Sequence, residues 1–157
     1  LLAVLLAVCL TATGIYDFVI ILRGNGTGHR VTVNMNSDLT RWLADHLGKQ
    51  DLLLTPEYSM NEVTMSGIMM YMGWPYYAWS AGYDTYSRAD IAKQIYSSTD
   101  ENTVKNLVKQ EKITYILFED GMQFEEMECR EDVIAKAFPL AYRSEDGRIR
   151  IYETSND

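Results

Sequence analysis

The apolar positions of this chain fall into two regimes. Leu1 to Leu22, LLAVLLAVCLTATGIYDFVIIL, is nearly continuous hydrocarbon with Asp17 as its one charge. Helical residues rise about 1.5 Å each, so a run of this length reaches about 33 Å, enough for a bilayer core of about 30 Å. The run therefore reads first as a transmembrane helix over 1–22. Asp17 lies in its last third, near a headgroup layer, where a charge costs far less than at the midplane. A cleaved leader and a buried core helix are the alternatives. A lipoprotein leader fits poorly, because Val8 in LLAVC stands where a small residue is expected. Arg23 and the glycine-rich GNGTGH then predict an exit into water and a flexible tether over 23–30.

From residue 31 the pattern alternates between period two and period three to four. Val31 to Met35 reads as a strand. Ser37 or Asp38 opens a helix with Leu39, Trp42, Leu43, His46 and Leu47 on one face, stopped at Gly48. Asp51 to Thr55 is a short buried strand ended by Pro56, Ser59 to Ser66 a short helix, and Ile68 to Met72 a further strand. Helices follow at Ala89 to Tyr96 and Asn102 to Gln110. ITYILFE, Ile113 to Glu119, is the strongest strand signal, being β-branched and aromatic. Arg130 to Phe138 reads as a helix. Leu140 to Arg143 and Arg148 to Glu153 form a hairpin across Ser-Glu-Asp-Gly. Strands alternating with helices predict an α/β three-layer sandwich over 31–157. Its sheet should be mostly parallel and Rossmann-like, with an antiparallel hairpin at the C-terminal edge.

Between the 68–72 strand and the next helix lies MGWPYYAWSAGYDTYSR, Met72 to Arg88, with six aromatic rings and two of the three tryptophans. Gly73, Pro75 and Gly82 predict a loop or broken connection there. The rings either pin that loop to the core or form a site. Trp74 and Pro75, directly after a strand, are expected as buried anchors. Tyr76, Tyr77, Trp79 and Tyr83 are expected to leave ring faces open, with Asp84 and Arg88 within reach. Exposed ring faces stack on the C–H surface of a sugar, and a carboxylate beside them accepts its hydroxyls. Asp84 and Arg88, four apart, can equally form a surface ion pair, or Arg88 can reach a phosphate bidentately.

Composition narrows the function classes. An apolar content of 47% over 157 residues fits one packed domain with an attachment. The net charge of −8, with basic residues scattered, excludes a nucleic-acid partner, which requires a basic stripe to displace counterions. RGNGTGHR is not a dinucleotide fingerprint: its spacing is G-x-G-x-G, and an alternating run follows where a helix must open. Cys9 and Cys129 stand in segments of different character and read as reduced thiols, with no zinc spacing. Glu119 to Asp132 holds seven acids in fourteen residues and reads as a solvated face, its spacing matching no calcium loop. His29 and His46 have no nucleophile elbow or reactive cysteine nearby. No catalytic residue, metal or cofactor is expected. The absence of an initial methionine suggests a piece of something longer.

The order of these segments carries a resemblance. An apolar span, a tether, SDLTRWLADHL, a strand, GWPYYAWSAGYDTYSR, a helix ending in IY, and ITYILFE follow one another. Together they resemble the C-terminal extracytoplasmic domain of multi-spanning membrane proteins related to lipid-linked-sugar (polyprenyl-phosphate-sugar) glycosyltransferases. The family pattern G-x-P-x-x-x-W-x-x-G-x-D-x-x-x-R is filled by Gly73, Pro75, Trp79, Gly82, Asp84 and Arg88. Thr114 to Leu117 and Ile149 to Tyr152 match later strands, so the resemblance covers roughly Ser37 to Glu153. It implies a cell-membrane protein whose soluble domain is extracytoplasmic and whose catalytic acid lies in a membrane portion outside these residues. The implied role is a non-catalytic lid or substrate-recognition domain. Its partners would be membrane lipid, the transmembrane portion of the same chain, and a lipid-linked sugar or glycan acceptor. The alternatives are a structural domain of a transporter-like membrane protein and a free-standing lipoprotein-like binding module.

Since no base is paired with a nucleophile, the chain should show no turnover on generic ester, phosphate or glycoside substrates. The check is an activity screen, in which turnover lost on His46→Ala would contradict this reading.

Overall fold

The computed structural model describes residues 2–26, 33–56, 62–122 and 127–154, and within its first helix leaves out the side chains of residues 5, 8–10, 13, 25 and 26. In chain order the elements are α1 (Leu2–Gly26), α2 (Asp38–His46), β1 (Leu53–Leu54), α3 (Glu62–Met65), α4 (Pro75–Ser80) and α5 (Thr85–Ser97). There follow α6 (Glu101–Glu111), β2 (Tyr115–Glu119), α7 (Glu131–Ala137), β3 (Leu140–Arg143) and β4 (Ile149–Glu153). Two compact units divide the chain, 1–33 and 34–157.

The first unit is α1, one continuous helix that runs four residues beyond the apolar stretch, so Arg23 to Gly26 are its last turn instead of the start of a tether. Apart from the half-buried Val19, its described apolar side chains, among them Leu2, Val4, Ile15, Phe18, Ile20 and Leu22, are exposed. Over the described residues no helix is long and apolar enough to cross a membrane. The crossing read from the whole of Leu1 to Leu22 therefore stays a proposal. Residues 27–30, the rest of the expected tether, lie outside the described residues.

The second unit is built on β2. Its first four residues are buried, with Ile116 and Phe118 on one face and Tyr115 and Leu117 on the other. This follows from the period of two in a strand covered on both sides. Against Ile116 and Phe118 pack Ala92, Ile95 and Tyr96 of α5, Val104 and Val108 of α6, and Val133 and Ile134 of α7. Against Tyr115 and Leu117 pack Leu39 and Leu43 of α2 and Val63 of α3. Helices thus cover both faces of the sheet, as the alternation of elements predicts.

The sheet itself is mixed, in the order β1-β2-β4-β3, and this corrects the mostly parallel arrangement. β1 runs parallel to β2, whereas β2 pairs antiparallel with β4, in register from Tyr115 opposite Glu153 to Glu119 opposite Ile149. β3 then pairs antiparallel with β4. Two expected strands did not add parallel partners. Val33 to Met35 lies in irregular chain and a turn, with Val31 outside the described residues. The 68–72 run contributes only one parallel bridge, Met70 to Leu53, held by Leu53 N–H to Met69 O (3.0 Å) and Tyr71 N–H to Leu53 O (2.8 Å). Glycines at left-handed φ, Gly67 (79°) and Gly73 (62°), turn the chain at either end of that run. The antiparallel hairpin stands at one side of the sheet as expected, with β3 at the edge and β4 against β2.

Side-chain hydrogen bonds tie helices to this sheet. The buried Tyr96 hydroxyl of α5 reaches the carbonyls of Leu54 (3.2 Å) and Leu117 (2.7 Å), one on each parallel strand. Ser37 caps α2 at Thr40 N–H (3.2 Å) and also donates to Glu62 Oε2 of α3 (2.6 Å). On β4, Arg150 donates to Glu131 Oε2 of α7 (2.9 Å) and to Asp120 Oδ1 (2.7 Å), while the Tyr152 hydroxyl donates to Glu131 Oε1 (2.8 Å).

Burial by itself would raise the pKa of Glu131, but its hydrogen bonds from Arg150 and Tyr152 outweigh this and hold the carboxyl below its usual value. A depressed carboxylate contributes stability above the unfolded pKa of about 4.3 and loses it as pH falls through the folded value. Urea midpoints measured from pH 7 to pH 3 should fall in wild type below about pH 4.5. Glu131→Gln should start lower at pH 7 and show a flatter acid limb.

Candidate functional site

The Met72 to Arg88 stretch is ordered by the core below it. Tyr71 and Met72, 1% and 6% exposed, are its anchors, and the Tyr71 hydroxyl donates to Glu111 Oε2 of α6 (2.9 Å). Gly73 follows at φ 62°, and a Cβ there would lie 2.8 Å from Met70 Cε. The left-handed turn lifts the chain off the sheet. Trp74 and Pro75 are consequently only half-buried, not the buried anchors expected from their place after a strand.

The expected loop is largely helical. Pro75 occupies the first turn of α4, where its missing N–H costs nothing and its fixed φ suits a helix start. None of the α4 residues is buried, so this six-residue helix lies on the surface. Gly82, at φ 87°, ends it, with Gly82 N–H to Trp79 O (2.9 Å) and Tyr83 N–H to Ala78 O (3.1 Å). Asp84 then caps α5, which begins four residues earlier than its apolar pattern predicts. Its carboxylate accepts from Ser87 N–H (3.1 Å) and Ser87 Oγ (2.8 Å). These bonds hold the Asp84 carboxyl below its usual pKa, the Ser87 N–H contributing most.

Tyr76, Tyr77, Trp79 and Tyr83 are each more than half exposed, and Tyr86, at 80%, more so. Tyr76, Trp79 and Tyr86 border a shallow depression of about 310 Å³, with Pro75 and the buried Thr85 completing its lining. Tyr86 and Thr85 were not singled out from the sequence, although both lie inside the aromatic stretch. Tyr77 is exposed on the same short helix but does not line the depression.

Arg88 makes its contacts with the chain that leaves the core. Its Nη1 donates to the carbonyl of Tyr71, and its guanidinium lies over the rings of Tyr71 (5.1 Å) and Tyr83 (5.2 Å). Asp84 and Arg88 thus serve different partners, one capping α5 and the other clasping the chain where it leaves the core. That clasp also fixes Tyr83 beside the start of α5.

The other chemical candidates have structural roles. His46 stacks on Trp42 (4.6 Å between ring centroids), and its Nδ1 lies 2.9 Å from the Trp42 carbonyl. Cys129 is half-buried against the core cluster of Ile116 and Phe118. In the acidic run, Arg130 pairs with Asp132 (2.9 Å) and Arg150 with Glu131 and Asp120; residues 123–126 lie outside the described residues. Among the described residues no group of His, Cys, Asp and Glu is placed to hold a metal ion.

Two substitutions separate the clasp from the exposed rings. Arg88→Ala should lower unfolding stability by about 1–3 kcal/mol, through a lost charge-assisted bond and two ring contacts. Trp79→Ala, at an exposed site, should stay within about 0.5 kcal/mol of wild type. Urea denaturation followed by circular dichroism reads both.

No protein-family model matches the chain, and no curated protein sequence does. Among solved structures it is similar to the C-terminal globular domain of an oligosaccharyltransferase from Archaeoglobus fulgidus. The match has 12% identity and a TM-score of 0.47, covering 75% of this chain and 95% of that one.

Proposed function

We propose that residues 34–157 form a non-catalytic saccharide-recognition or lid domain of a multi-spanning membrane glycosyltransferase that uses a lipid-linked sugar donor. The observation that carries the recognition half is the concentration of exposed rings. Tyr76, Tyr77, Trp79, Tyr83 and Tyr86 all stand in solvent within eleven residues. A buried aromatic side chain stabilises by roughly 1.5–3 kcal/mol, and these rings forgo most of that gain. Their local backbone is nevertheless tightly specified by Gly73, Pro75, Gly82 and the Asp84 cap. Rings held rigidly and left open are the arrangement a stacking ligand requires, since little ordering entropy remains to be lost on binding. The electron-rich ring face attracts the polarised C–H bonds of a sugar, and tyrosine hydroxyls and the indole N–H add hydrogen-bonding groups.

The glycosyltransferase half rests on the order of sequence motifs from Ser37 to Glu153, and the catalytic acid would lie in another part of the parent. The apolar α1, hydrophobic around its whole circumference, supports contact with lipid or with a partner helix. On this reading the aromatic surface meets a lipid-linked sugar or a glycan acceptor outside the membrane.

Isothermal titration of the full chain with neutral oligosaccharides tests the proposal. Binding should weaken at least about tenfold, or 1.4 kcal/mol, in Trp79→Ala. Unchanged binding in that variant, or an unfolded variant, would reduce the rings to surface or core and defeat the reading.

A further inference from the structure

The recognition reading leaves open which part of a glycolipid or glycan the rings meet, and the charges around the depression bear on that. A phosphate or pyrophosphate is held by arginine or lysine side chains, or by free backbone N–H groups at a helix N-terminus. None of the described residues lining the depression carries a charge. Two helix starts border it, that of α4 at Pro75 and that of α5, whose first two residues are Thr85 and Tyr86. Asp84 already fills the start of α5: its carboxylate takes the Ser87 N–H and places a negative charge where an anion would sit. Arg88, the cation of this stretch, has its guanidinium on the Tyr71 carbonyl and over the Tyr71 and Tyr83 rings. At the start of α4, Pro75 has no N–H to offer.

We infer that the depression of Pro75, Tyr76, Trp79, Thr85 and Tyr86 is a subsite for a neutral sugar ring and discriminates against its phosphorylated form. The inference rests on the recognition reading and narrows it to the saccharide moiety, away from the phosphate of any carrier. The volume of about 310 Å³ suits a mono- or disaccharide, at the small end of the roughly 300–1,000 Å³ typical of ligand sites. Tyrosine and tryptophan rings supply stacking faces. Asp84, exposed, next in sequence to the lining residue Thr85 and still with unused lone pairs, supplies an acceptor for a sugar hydroxyl. A second negative charge beside that carboxylate would be repelled, whereas a neutral sugar hydroxyl would donate to it.

The test compares methyl glucoside and methyl N-acetylglucosaminide with the corresponding sugar 1-phosphates and with polyprenyl phosphate. All are titrated into the full chain at low salt and followed by calorimetry and by tryptophan fluorescence, the Trp79 share being the part lost in Trp79→Phe. The expected result is that the neutral glycosides bind at least about tenfold more tightly than their 1-phosphates. Asp84→Asn, which retains a capping side chain, should narrow that preference by about two- to fivefold, the range of one screened surface charge. If the 1-phosphates or polyprenyl phosphate perturb Trp79 as strongly as the neutral glycosides or more so, the neutral-sugar inference falls while the aromatic surface stands as a site. If no compound perturbs Trp79 or gives heat, both this inference and the recognition reading fail.

Discussion

The hydroxyl of Tyr96, buried between β1 and β2, is the point from which much of residues 34–157 can be understood. β1 is only two residues long, and a pair so short has little ladder of its own. The one proton of the Tyr96 hydroxyl is directed at the Leu117 carbonyl (2.7 Å), with that of Leu54 at 3.2 Å, so α5 docks on both strands of the parallel pair. Losing such a buried bond would cost about 1–3 kcal/mol. Phe118 packs edge-on against the same ring at 5.1 Å, which fixes the orientation of its hydroxyl. The position of α5 against the sheet is therefore set at its C-terminal half, by Ala92, Ile95 and Tyr96.

That constraint propagates to the surface. With its second half buried, α5 presents Thr85, Tyr86 and Arg88 at its opposite end. Arg88 reaches back to the Tyr71 carbonyl, so the chain leaving the core and the helix entering it are held together across the intervening residues. The segment between them cannot collapse inward. It forms α4 on the outside, and its rings stay in solvent. The aromatic surface is thus a consequence of two fixed ends, one glycine turn and one proline start. No apolar groove draws it in.

The opposite end of the sheet is held differently. β4 lies between β2 and β3, and Arg150 on it joins Glu131 of α7 to Asp120 after β2. Its side chain is only 12% exposed, so the two carboxylates neutralise a charge that could not otherwise remain there. One side of the domain is locked by a half-buried ion network and the other by a hydroxyl and a cation over rings. The residues that line the depression take no part in either lock, whereas Tyr83 lies under the Arg88 guanidinium.

Local pattern determined most of the elements. The apolar run at the N-terminus, the capped helix after Ser37, the β-branched ITYILFE and the Ser-Glu-Asp-Gly hairpin are written in spacing and turn chemistry, and α1, α2, β2, β3 and β4 follow them closely. The candidate rings were also legible, since aromatic residues among Gly and Pro mark an unusual segment. What the sequence could not state was pairing. Whether Ile68 to Met72 becomes a strand or a single bridge depends on which neighbours β1 accepts, and whether the hairpin or another strand pairs with β2 depends on competition for its free side. Both are long-range choices between hydrogen-bonding partners of equal local propensity. The same holds for Arg88: its spacing from Asp84 suits an ion pair, but Tyr71, seventeen residues away in sequence, captured its guanidinium once α5 was docked. Tertiary structure decided these points because backbone carbonyls and ring faces carry no sequence signature, and only the folded chain brings them within reach.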